Sequence, residues 1–306
     1  MSHSHHDDPG ARRRATLVGA LAIVIWASLA ILTTISGAME PFQMVAIAFA
    51  VAAGVATLHT LCRGDGLMRH ARQPLPAWVV SVGGLFGYHV LVFLALKTAP
   101  PLEANLINYL WPLLIVLFSA LLPGERLRWW HVGGSLFGLV GTALILTGGE
   151  EPLAFEGDAW PGYLAAFGAA LTWSAYSVLN RRFAHVPTQA VGPFLWVASV
   201  LALICHLMFE TTVWPGTTSE WLAVIGLGLG PAGGAFFLWD YGVKHGDIRV
   251  LGGLAYTTPL MSTALLVMFG QGLLTTATAA AALLIICGAV LASKDLLITP
   301  PSTRRR

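Results

Sequence analysis

Residues 108–112 read Asn-Tyr-Leu-Trp-Pro and residues 255–259 read Ala-Tyr-Thr-Thr-Pro, so that a tyrosine and a proline three apart recur after 147 positions. The same offset aligns Trp26 with Trp173, Gly83 with Gly230, Gly87 with Gly234, Lys97 with Lys244, and Gly141 with Gly288. Alanine and leucine coincidences mean little in such a composition. Trp, Tyr, Pro and Lys are scarce, and several matches at one ungapped shift mark a duplicated unit.

What the unit is follows from composition. Of 306 residues, 56% are hydrophobic and 10% charged, against about 25% charged in an ordinary soluble domain. So few charges cannot clothe a water-exposed globule of this size, but they suffice for a surface facing lipid. Stretches free of Asp, Glu, Lys and Arg run 15–39, 41–62, 73–96, 104–124, 129–149, 159–180, 183–209, 221–239 and 250–293. A membrane-spanning helix needs about 20 such residues. The last stretch is long enough for two helices and breaks naturally at Gly270-Gln271-Gly272. The expected fold class is therefore an all-α polytopic membrane protein with ten transmembrane helices. A β-barrel would alternate apolar and polar residues, and these runs do not.

Numbering the loops alternately places Arg12, Arg13, Arg14, Arg63, Arg69, Arg72, Arg126, Arg128, Arg181, Arg182, Lys244, Arg249, Lys294, Arg304, Arg305 and Arg306 on one side, and Lys97 on the other. This positive-inside signal predicts cytoplasmic termini. We expect a cytoplasmic tail over 1–14, a first five-helix repeat over 15–149, an external linker over 150–158, a second repeat over 159–295 and a cytoplasmic tail over 296–306. Because five is odd, the second copy enters the membrane from the opposite side, which makes the two halves an inverted repeat. Such halves can rock around one shared site, the architecture of alternating access. The His-rich start is expected to be a hydrated tail rather than a metal tract, and the first apolar stretch is too long for a cleaved signal peptide.

Nothing in the chain presents a nucleic-acid face, a metal-ligand spacing or a disulfide framework; Cys62, Cys205 and Cys287 are widely spaced. No cofactor or metal is expected. The interrupted spans at corresponding places point to the substrate path. Gly83, Gly84 and Gly87 face Gly226, Gly228, Gly230, Pro231, Gly233 and Gly234, and these glycines serve either tight packing or ligand contact. Pro112 and Pro259 lie mid-helix and leave the Asn108 and Ala255 carbonyls without an intrahelical donor. They act as kinks or as hinges, and we take them as hinges. Asn105, Asn108, Tyr109 and Pro112 would share one face of a continuous helix, too polar for lipid. Trp26, Trp111, Trp173, Trp196 and Trp239 are interior by position, whereas the tryptophans at span ends fit the interfacial belt. The expected substrate-binding residues are Trp26, Tyr88, Asn108, Tyr109, Trp173, Tyr176, Trp239 and Tyr256. Asp240, with Lys244 one turn on, reads as a local ion pair rather than a proton site, and Glu103 as a solvated interfacial acid. With no acid at mid-membrane, facilitated movement is the simpler expectation.

The stretch Gly124-Glu125-Arg126-Leu127, followed by Gly134, Gly138 and Gly141, resembles the glutamate-then-glycine pattern of the drug/metabolite transporter superfamily, in its group with tandem EamA-type units. The second unit departs from it, with Gln271 and Gly272 where the glutamate would be. Asn108-Tyr109-Leu110-Trp111-Pro112 is similar to the branch of bacterial aromatic amino-acid exporters. The resemblance implies an inner-membrane exporter of aromatic or other neutral amino acids or hydrophobic metabolites, working as a monomer in the lipid bilayer on a small-molecule substrate. The same fold carrying a nucleotide sugar or a drug is the alternative, and an intramembrane lipid-modifying enzyme is a more distant one. An enzyme would need converging nucleophiles or acid pairs, and His89, His131 and Asp240 are scattered.

Overall fold

The computed structural model describes residues 9–66, 68–149, 155–270 and 275–295. The His-rich start, most of the 150–158 linker, Gln271, Gly272 and the 296–306 tail lie outside the described residues. Among the described residues the protein is all-helical. Eight helices are long and apolar enough to cross a membrane: α1 (Gly10–Ile35), α2 (Pro41–Cys62), α3 (Leu75–Thr98), α4 (Pro101–Ser119), α5 (Trp129–Thr147), α7 (Thr188–Phe209), α8 (Thr218–His245) and α9 (Ile248–Met268). Between and beyond them lie α6 (Trp160–Asn180), less apolar because it carries Thr172, Trp173, Ser174, Tyr176 and Ser177, and the shorter α10 (Thr276–Ala292).

The ends of these helices follow from local chemistry. Proline, which needs no donor in the first turn, opens α2, α4 and α6. Thr217, Asp247 and Thr275 cap α8, α9 and α10 through their side chains. Gly270 stands at φ +72°, a left-handed conformation suited to glycine, where the last apolar stretch stops.

Helix α1 loses its regular winding at residues 27 and 28, and four further helices are interrupted rather than continuous. Helix α3 passes through a π-helical stretch at Gly83–Gly87, and α8 breaks at residues 230–233, the corresponding place in the second half. Helix α4 stops its regular winding at Asn108 and resumes at Trp111, and α9 does so between Ala255 and Thr257. The prolines explain the second pair, since neither can donate a bond to the preceding turn. Asn105, Asn108, Tyr109 and Pro112 are all buried or half-buried, and the backbone between them stays right-handed through the irregular turn at Tyr109 and Leu110.

The long helices pack in pairs that join the two halves of the chain: α5 on α10, α2 on α7, α1 on α8, and α3 on α6. Helices α5 and α10 meet through glycine. A Cβ on Gly134 would lie 2.5 Å from the Gly288 carbonyl oxygen, one on Gly141 2.7 Å from Ile285, and one on Gly138 2.6 Å from Tyr256. Gly134 thus lets the α5 and α10 backbones touch, Gly141 admits the Ile285 side chain of α10, and Gly138 admits the Tyr256 ring at the α9 break. Two positional expectations change. Trp196 is 41% exposed, on the outer flank of α7, where its indole N–H donates to Thr57 Oγ1 at 3.0 Å; it is mid-span, but it faces outward. Glu103 is buried in the first turn of α4 rather than solvated.

Because Gly134 meets backbone that cannot move aside, Gly134→Leu is expected to cost about 1–3 kcal/mol. It should lower the melting temperature of the detergent-solubilised protein, while Gly54→Ala, which meets nothing within 4 Å, should leave it unchanged.

Candidate substrate site and charged end

Five of the expected residues come together as one aromatic cluster. Trp26 of α1 lies 5.0 Å from Trp239 of α8 and 5.7 Å from Trp173 of α6, ring centre to ring centre. Trp173 in turn meets Tyr88 of α3 and Tyr176 of its own helix, each at 5.2 Å. Most of these rings meet edge-on or tilted, the arrangement their quadrupoles favour. Trp111 and Phe236 complete the cluster at 6.2 and 6.4 Å from Trp26. Both were absent from the expected set. Trp111 was legible as an interior tryptophan, whereas a phenylalanine among so many apolar residues carried no distinguishing signal.

Within the cluster some members are packed and others accessible. Trp239 and Tyr256 are fully buried, while Trp26, Tyr88, His89, Asn108 and Tyr109 are half-buried. Trp239 is fixed by its indole N–H donating to Ser177 Oγ at 3.0 Å. Tyr176 is pressed against Gly84, where a Cβ would come within 2.4 Å of the ring, which is why α3 carries glycine there.

The helix breaks lie beside this cluster. Asn108 donates from Nδ2 to the Tyr88 hydroxyl at 3.2 Å, and its Oδ1 is buried without a hydrogen-bond partner, as is Thr258 Oγ1 beside the other break. At the α4 break the Tyr256 hydroxyl, from the second half of the chain, donates to the Tyr109 carbonyl at 3.1 Å, while the Ser174 hydroxyl lies 2.9 Å from the Trp111 carbonyl and 2.6 Å from the Ala170 carbonyl of its own helix. Tyr256 therefore serves the site by holding the break, and its ring packs against Gly138.

A paired buried charge borders the aromatic cluster, at the residue after Trp239. Asp240 and Lys244 form a buried pair at 2.8 Å, and Asp240 also accepts from Asn180 at 2.6 Å and Thr188 at 2.7 Å. Lys244 donates in addition to the Val186 carbonyl at 3.0 Å. Every strong donor and acceptor of the pair has a partner, as a structural ion pair requires. A separate polar cleft of about 440 Å³, lined by residues including His59, Arg63, Asp65 and His70, holds none of the aromatic residues.

A second charged assembly, which the loop count treated only as an orientation signal, closes the arginine-rich end. Glu125 accepts from Arg12 at 2.8 Å and Arg181 at 2.9 Å and lies 3.3 Å from Arg249. Asp247 accepts from Arg249 at 2.7 Å and Arg12 at 3.0 Å. Burial pushes the Asp247 carboxyl up, but hydrogen bonds from Arg249 and the charges of Arg12 and Arg249 outweigh it and hold the group at about 2, below its ordinary 3.8. A depressed carboxylate stabilises the fold above its unfolded value. That contribution is present above pH 3.8 and is lost as the pH falls through about 2. Burial pulls the Arg181 guanidinium down, and Glu125 works against that shift. Among the described residues no three His, Cys, Asp or Glu side chains are grouped to hold a metal.

A bundle of apolar helices around an aromatic centre, broken at matched positions beside that centre, defines a multi-pass membrane transporter. The chain belongs to the EamA-like transporter family, whose model matches residues 13–147 and again residues 160–294. It is 52% identical over 260 residues to the aromatic amino acid exporter YddG of Ancylobacter novellus, covering 85% of this chain and 90% of that one. It is 29% identical over 272 residues to the protein of the same name from Escherichia coli, covering 83% and 88%. A solved crystal structure superposes with a TM-score of 0.87 at 50% identity, over 92% of this chain and 98% of that one.

If the Asp240–Lys244 pair is structural, Asp240→Ala should destabilise the protein by about 3–5 kcal/mol by leaving Lys244 buried and unpaired. Asp240→Ala with Lys244→Met should recover most of that loss, and the double variant should transport with an unaltered pH profile.

Proposed function

We propose that this transporter exports aromatic amino acids across the inner membrane by alternating access, with ten spans in two inverted repeats and both termini in the cytoplasm. The observation that carries the reading is the aromatic cluster of Trp26, Tyr88, Trp111, Trp173 and Trp239, which draws on both halves of the chain and holds no fixed charge. Rings from several directions offer an aromatic side chain apolar area and edge contacts. The curated relatives named as aromatic amino acid exporters support that substrate class.

The inverted repeat is supported by the helix pairing. Exchanging the halves turns the α1–α8 contact into α6–α3, both of which occur, and turns α2–α7 and α5–α10 into themselves. A pair maps onto itself only under a two-fold axis. The arginines gathered at one end support the orientation.

A zwitterionic cargo also needs partners for its charged ends. Asn108 Oδ1, buried and unpartnered beside the aromatic rings, is the acceptor for the ammonium group. The site then reads ring and ammonium separately. Cargoes bearing phosphate, such as nucleotide sugars, would want cavity cations, and the arginines here are spent on Glu125 and Asp247.

The test is flux of radiolabelled phenylalanine and tryptophan in proteoliposomes of the purified protein. Saturable flux is expected, and Tyr109→Ala with Trp173→Ala should lower it about tenfold or more. Asn108→Ala should raise KM for phenylalanine about tenfold while leaving binding of 3-phenylpropionate, which lacks the ammonium, unchanged. No saturable flux in a folded preparation overturns the substrate assignment.

A further inference from the structure

The charged assembly at the arginine-rich end has no sequence equivalent at the other end. Under the 147-residue offset, Arg12, Glu125, Arg181, Asp247 and Arg249 correspond to Ala159, Gly272, Thr34, Pro100 and Leu102. All five counterparts are uncharged. An inverted repeat of identical halves would close its two faces at equal energy, and among the described residues this network has no counterpart at the matching positions of the other end, which breaks that equality.

The network also lies across the seam between the halves. Arg12 and Glu125 belong to the first half, and Arg181, Asp247 and Arg249 to the second. Arg12–Asp247 lies within the packed α1–α8 pair, whereas Glu125 ties the α4–α5 turn to the end of α6 through Arg181 and to the start of α9 through Arg249, so these two pairs part when those helix ends move away from one another. His131 of α5 and Asp295 after α10 add a further contact at 3.2 Å on the same side. At the opposite end, Glu210 and Gln43 join α2 and α7, but they do so through backbone N–H groups: Glu210 accepts from Phe42 at 2.9 Å and Gln43 at 3.1 Å, and the Gln43 side chain accepts from Val213 at 3.0 Å. Those bonds join a pair of helices that the two-fold maps onto itself.

We propose that Glu125 is the keystone of a one-sided latch, which makes the conformer closed at the arginine-rich face the resting state of the transporter. This rests on the alternating-access reading above. The side chains of Glu125 and Asp247 are 6% and 5% exposed, so parting them from their arginines leaves desolvated charge without a partner until water enters. Screening by salt relieves this less than it would at a surface. Arg181 adds geometric weight, since it also donates to the Val243 and Gly246 carbonyls at 3.1 and 2.7 Å and so ties the α8–α9 turn to Glu125. For an exporter the consequence is direct. The protein waits closed to the compartment that supplies its cargo, and cargo binding must contribute to releasing the latch.

The experiment is pulsed electron paramagnetic resonance on full-length protein in nanodiscs, with Cys62, Cys205 and Cys287 replaced by serine. Nitroxides are placed at Leu121, which is 72% exposed, and at exposed Arg182, one in each half beside the latch. The parent is expected to show one dominant short distance. Glu125→Gln should raise the long-distance fraction about tenfold or more. Arg12→Gln, at a side chain that is already 36% exposed and little involved in packing, should raise it by less and carries the test if Glu125→Gln does not fold. Glu220→Gln at the opposite end should leave the distribution as in the parent. If phenylalanine populates the long distance equally in the parent and both variants, the latch is wrong and alternation stands. If no variant and no cargo ever produces a second distance, alternation itself fails and the latch falls with it.

Discussion

In hydrocarbon a backbone carbonyl or amide without a partner costs several kcal/mol, because no water is present to replace the lost bond. This chain nevertheless interrupts α3, α4, α8 and α9 at mid-bundle. Everything distinctive in its interior follows from keeping those interruptions off the lipid. The Tyr109 carbonyl is held by the Tyr256 hydroxyl, a donor from the half of the chain that did not make the break. The two halves are thereby committed to each other at the same depth as the aromatic cluster. Polar side chains on α6, which make it the least lipid-like of the long helices, are the cost of that arrangement.

Much of the fold was legible in the sequence because the bilayer imposes a length on each apolar run and a charge rule on each loop. The break near Gly270 and the aromatic meeting of Trp26, Trp173 and Trp239 were readable from residue type and position, whereas the packing role of Gly134, Gly138 and Gly141 was not. The misreadings share a cause. Periodicity assumes a continuous helix, so it gave no sign that the regular winding of α4 pauses between Asn108 and Trp111. Depth along a span says nothing about direction, so Trp196 was counted as interior although α7 turns it outward. Counting arginines by loop hid the fact that several loops converge. Glu125, Asp247 and three arginines meet only because α1, α6, α8 and α9 end at one place, and no local pattern records that convergence.

The interior thus separates two tasks by chemistry. At the centre, recognition uses rings and uncharged polar atoms, which interact at short range. At the arginine-rich end, buried ion pairs couple segments far apart in the chain through longer-ranged forces. Keeping the two apart spares the aromatic site from a permanent field that would favour one cargo charge over another. It also means that substitutions at Glu125 and substitutions at Trp173 report on different steps of one cycle.

The contact between α5 and α10 has a mechanical side. Gly134 and Gly288 meet with almost no side chain between them, so the seam lacks the interlocking knobs that ordinarily resist slippage. At the level of Gly134 and Gly288 the two helices can shift past one another with little side chain to displace, while Ile285 on Gly141 keeps them in register one turn or two away. Such a joint tolerates movement of the domains it connects while refusing thicker residues. This glycine-lined seam is therefore also a bearing surface.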